Sequence, residues 1–84
     1  MKRHLKETTK KETLGYLGWI SESMDFIIFK VKKIGSDLYT DLMLVRDSVN
    51  QLLADLRKDR IALYAAQAKA NGLINKWATL EIAI

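Results

Sequence analysis

From Leu14 onward, apolar side chains recur at steps of three and four residues: Leu14, Leu17, Ile20, Met24, Ile27, Ile28, Val31 and Ile34. At ~100° per residue they share one broad stripe, so the spacing predicts an amphipathic helix over residues 9–34. Thr9 and Glu12 stand at capping-box spacing, where each side chain satisfies a free backbone N–H of the helix start. Trp19 and Phe26 flank the stripe, and Phe29 lies opposite part of it. The run Phe26-Ile27-Ile28-Phe29-Lys30-Val31 also has strand-like composition. A hairpin turning at Gly35-Ser36-Asp37 is therefore the alternative for residues 26–34.

Gly35 suits the left-handed residue that ends a helix, and Ser36 suits the N-cap of the next. Beyond them Leu38, Leu42, Val45, Val49, Leu52, Leu56, Leu63, Ala66 and Ala70 alternate by fours and threes, with Asp59 at the one seam position not filled by an apolar residue. This heptad pattern predicts a second helix over residues 36–70. Its phase continues forward to Leu73, Trp77, Leu80 and Ile84, and backward to Val31, Ile28, Met24, Leu17 and Leu14. Asn71-Gly72 is the second expected break, since both residues tolerate left-handed geometry, which leaves a short helix over 73–83.

The pattern predicts an all-α fold: two long amphipathic helices plus a short C-terminal one. They either fold back as a hairpin or bundle, or run on as a coiled-coil rod. Residues 1–8 form a basic tail before a single helical domain, 9–84.

Composition narrows how such a chain is stabilised. With 84 residues, a lone monomer is marginal, and small scaffolds add disulfides, a metal, well-packed helices or a partner. There is no cysteine and a single histidine, His4, which removes disulfides and an ordinary zinc site. No cofactor is expected. Proline is also absent, which permits long uninterrupted helices. The stretch Leu14 to Ile34 carries Glu22, Asp25, Lys30, Lys32 and Lys33, so it does not read as a membrane span, and no secretory signal is evident. Compartment stays open on these grounds, with a soluble cytoplasmic chain the simplest expectation.

Charge is unevenly placed. Residues 1–11 hold Lys2, Arg3, Lys6, Lys10 and Lys11 against Glu7, whereas residues 12–84 carry nine basic and nine acidic side chains. The net +4 is thus an N-terminal feature, and the body is not a basic nucleic-acid surface.

Catalytic patterns do not emerge: there is no thiol, no phosphate-binding glycine loop and no metal-ligand spacing. Asp55 and Asp59 lie one turn apart, but Arg57, Lys58 and Arg60 surround them as on a solvated face. The expectation is a non-enzymatic protein acting by helix–helix contact, in a structural or adaptor role. Its assembly surface would be the seam Leu38, Leu42, Val45, Val49, Leu52, Leu56, Leu63, Ala66, Ala70 and Trp77. Asp59 on that seam would fix register, as polar seam residues do at a cost in stability. A homo-oligomer, or a helical partner, would cover the off-seam Phe29, Met43, Leu44 and Ile61. The alternatives use Lys2, Arg3, Lys6, Lys10 and Lys11 on an anionic partner. One is a membrane surface, aided by Trp19, Phe26 and Lys30–Lys33; the other, less favoured, is nucleic-acid phosphate.

Overall fold

A computed structural model describes residues 9–83 as three helices: α1 (Lys10–Ile34), α2 (Tyr39–Arg57) and α3 (Leu63–Ile82). The protein is an all-α helical bundle. Residues 26–34 are helical, which removes the hairpin alternative.

The start of α1 is the capping box expected from Thr9 and Glu12. The Glu12 amide donates to Thr9 Oγ1 at 3.2 Å, and the Thr9 amide donates to Glu12 Oε1 at 3.3 Å. Its end is Gly35, at φ 70°. There the Gly35 amide donates to the Lys32 carbonyl and the Ser36 amide to the Val31 carbonyl, closing a Schellman turn. The Ser36 hydroxyl then accepts the Leu38 amide at 3.2 Å, so the serine holds the turn that leads into α2 rather than capping the helix itself.

The chain folds back twice. A helix of 25 residues is about 37 Å long, close to the 38 Å longest dimension of the molecule. A continuous rod would be far longer, so the unbroken heptad phase does not mark one. It marks the inward face of helices that turn back on each other. Leu17, Met24, Ile28, Val31, Leu42, Val45, Val49, Leu52, Leu56, Ala66, Ala70 and Trp77 all lie in one core. Both outer helices pack on α2 and scarcely on each other. With extents of 38 × 30 × 16 Å the molecule is a flattened slab in which α2 carries most of the contacts between helices.

Two boundaries differ from the sequence expectation. The predicted helix over 36–70 is interrupted at residues 58–62, where Asp59 takes φ 57°. Conversely, Asn71-Gly72 breaks nothing and lies within α3. Packing decides the second case. Ala66, Ala70 and Trp77 are buried in the core from either side of Gly72, and this outweighs the ~1 kcal/mol that a helical glycine costs.

Polar groups clamp the end of the slab where α1 and α3 begin. Gln67 Nε2 donates to Thr13 Oγ1 at 3.2 Å, and Thr13 Oγ1 donates to the Thr9 carbonyl at 3.0 Å. Lys10 pairs with Asp59 at the same end. Further along, Ser21 hydrogen-bonds Asn50, and Arg46 bridges Asp25 of α1 and Asp47 of its own helix. The hydrogen bond to Asp25 is the chief reason that the Arg46 guanidinium is held above its ordinary pKa.

A candidate interaction surface on the first helix

The seam named for assembly is used inside the chain. Leu42, Val45, Val49, Leu52, Leu56, Ala66, Ala70 and Trp77 are buried, and Leu38 and Leu63 are half-buried against them. The sequence expectation is corrected here, because α1 and α3 cover α2 before any second chain can. Asp59 is corrected too. It sits in the α2–α3 turn with its side chain 79% exposed, so it sets a helix end and not a coiled-coil register. Of the five N-terminal cations, Lys10 is engaged by Asp59 and Lys11 is exposed. Lys2, Arg3 and Lys6 lie outside the described residues.

Large apolar side chains stay exposed on each helix, among them Leu44 of α2 and Tyr64 and Ile82 of α3, and the outer face of α1 carries three aromatic ones. Trp19, Phe26 and Phe29 are 64%, 64% and 61% exposed. Lysines lie over two of these rings: Lys30 Nζ is 4.7 Å from the Phe26 centroid, and Lys33 Nζ is 5.1 Å from that of Phe29. Each ammonium gains from the ring's negative face while its stem covers apolar surface. Gly15 and Gly18 belong to the same helix, and a Cβ added at either would meet nothing within 4 Å.

Beside Trp19, α1 and α3 line an apolar groove of about 240 Å³. Its walls are Tyr16, Trp19, Ile20, Met24 and Ile27 from α1 and Ile74 and Trp77 from α3, joined by Ser23 and Glu81. Tyr16 and Trp19 stack with centroids 6.3 Å apart. Ser23 turns its hydroxyl back to the Trp19 carbonyl at 3.1 Å, which leaves a small, internally satisfied residue between the large rings.

Sequence reasoning gave Trp19 and Phe26 only to the membrane alternative, because attention to the seam hides what sits off it. The sequence reading set Trp19 and Phe26 at the flanks of the stripe, whereas the structure leaves both 64% exposed; their seven-residue spacing, which puts them on one side of the helix, was the available signal. Among the described residues no cluster of three metal-ligating side chains occurs, and no helix is long and apolar enough to cross a membrane.

Fold and surface together define an all-α protein, with three helices among the described residues and an aromatic helix face that those residues leave exposed. No family model, no curated protein and no solved structure matches the chain significantly.

Proposed function

We propose that the protein is a non-enzymatic assembly or adaptor module that acts by helix–helix contact through the outer face of α1. The supporting observation is that Trp19, Phe26 and Phe29, each more than 60% exposed, share one helix whose opposite side is fully packed. Contiguous aromatic exposure of this kind marks interaction sites, and aromatic anchors carry most of the energy of such contacts. The contact surface is thus moved from the heptad seam to the face behind it.

Solution mass across a concentration series tests the reading. A mass at a whole-number multiple of 9.6 kDa, lost on Trp19→Ser with helix content retained, is the expected result. A protein that stays at 9.6 kDa throughout, with Trp19→Ser unchanged, would remove self-assembly.

A second reading has its own observation. Aromatic rings with lysine ammoniums drawn over them suit the interface of an anionic bilayer, where rings insert and cations meet headgroups. Co-sedimentation with phosphatidylserine vesicles, abolished by Phe26→Ser and by high salt, would favour this over protein association.

A further inference from the structure

The exposed side of α1 carries a row at intervals of seven residues: Glu12, Trp19, Phe26 and Lys33, all solvent-exposed. Read backwards, the row is its own complement. Reversal exchanges acid for base at the ends and one aromatic for the other in the middle. We infer that α1 docks on α1 of a second copy, antiparallel about a two-fold axis passing between Glu22 and Ser23. This inference rests on the assembly reading above and adds to it the partner, the orientation and the register.

In that register Glu12 faces the partner's Lys33 and Trp19 faces the partner's Phe26, each contact occurring twice as an isologous interface requires. The in-register parallel alternative sets Lys33 against Lys33 and Glu12 against Glu12, which disfavours it by up to about 1 kcal/mol per exposed pair. Gly15 lies opposite the partner's Lys30, and a Cβ added at Gly15 would meet nothing within 4 Å, so space is open there for the longer side chain. Ser23, with its hydroxyl satisfied by the Trp19 carbonyl, lets the helices approach at the axis. A seven-residue row drifts by ~20° per repeat on a straight helix, a drift that a left-handed supercoil takes up. The core stripe of α1 faces the other two helices and its exposed row faces solvent, which leaves room for the second copy.

The absence of cysteine makes the register directly readable, because any single introduced thiol is the only one. Full-length Ser23→Cys, oxidised at a concentration where the mass is that of a dimer, crosslinks to itself, while Lys30→Cys does not. Lys33→Glu weakens the dimer by roughly three- to tenfold, and adding Glu12→Lys restores it, although the second change also removes the capping box. Trp19→Ala weakens it by roughly thirtyfold with helix content retained. Self-crosslinking of Lys30→Cys would establish a parallel pair and overturn the inference. A dimer in which neither thiol crosslinks, and in which the charge exchange restores nothing, would overturn it while the assembly reading stands. A monomer at every concentration would overturn both, and one that moves onto phosphatidylserine vesicles would put lipid in place of the second copy.

Discussion

Asp59 ends α2 in the way that Gly35 ends α1. Both are left-handed, at φ 57° and 70°, and each is framed by the same pair of backbone hydrogen bonds. The Asp59 amide donates to the Leu56 carbonyl at 3.2 Å and the Arg60 amide to the Asp55 carbonyl at 2.8 Å, as Gly35 and Ser36 do to Lys32 and Val31. Aspartate is among the few non-glycine residues that enter this region readily. Its carboxylate also reaches Lys10, which ties the turn to the start of α1.

Replacing Asp59 therefore acts through the backbone. Asp59→Leu is expected to destabilise the protein by about 1–2 kcal/mol, the penalty of a side chain without local hydrogen bonding in left-handed geometry. Asp59→Gly should stay within about 0.5 kcal/mol, because relief of that penalty offsets the gain in unfolded-state entropy. The exposed pair with Lys10 adds little to either figure. Urea unfolding of the two variants decides the matter. Stabilisation by leucine would return Asp59 to a buried seam.

Gly72 offers the converse case. It lies inside α3, exposed, with open space where a Cβ would stand. Gly72→Ala should raise stability by about 0.5–1 kcal/mol, through helix propensity alone. A fall in melting temperature would show that Asn71-Gly72 is a hinge after all.

Thr13 and Gln67 are the buried polar pair between α1 and α3, at 0% and 1% exposure. Thr13→Val removes the acceptor for the Gln67 amide and should cost about 1–3 kcal/mol. Thr13→Val combined with Gln67→Leu should cost less than the two single changes added together, because neither side of the Gln67–Thr13 hydrogen bond is then left facing a missing partner. A double-mutant cycle by denaturant unfolding measures the coupling, expected at about 0.5–3 kcal/mol. Strict additivity would mean that the two side chains do not act together.

The core was legible in the sequence because burial and heptad phase are the same property. Leu17, Met24, Leu42, Leu52 and Leu56 fall inward in any arrangement that pairs the stripes. Gly35 and the Thr9–Glu12 box were legible because their chemistry is local. The α2–α3 turn was not, since it is made by an aspartate in a charged run, and the phase of the pattern passes through it undisturbed from Leu56 to Leu63. The exposed aromatic face of α1 was hidden for a related reason. Periodicity says which residues point the same way, but not whether the chain itself supplies the cover. Only the fold shows that α1 and α3 cover α2 and leave Trp19, Phe26 and Phe29 outside.

That distinction between cover from within and cover from a partner gives the last prediction. Leu52 is fully buried on α2, the central helix on which both outer helices pack. Leu52→Ala should lower unfolding stability by about 2–5 kcal/mol, as loss of a buried leucine does when neighbours relax only partly. The loss should be the same in dilute and concentrated protein, because the contacts are intramolecular. Trp19→Ser should behave oppositely. With 64% of Trp19 exposed in the single chain, its removal should change the stability of dilute protein by less than about 1 kcal/mol. It should also erase any rise of melting temperature with concentration, since that rise comes from partner binding to the folded state. Thermal unfolding of both variants across a hundredfold range of concentration separates the cases. A concentration-dependent defect in Leu52→Ala would restore the seam as the interface. A large defect of Trp19→Ser in dilute protein would make the tryptophan part of the monomer's own core.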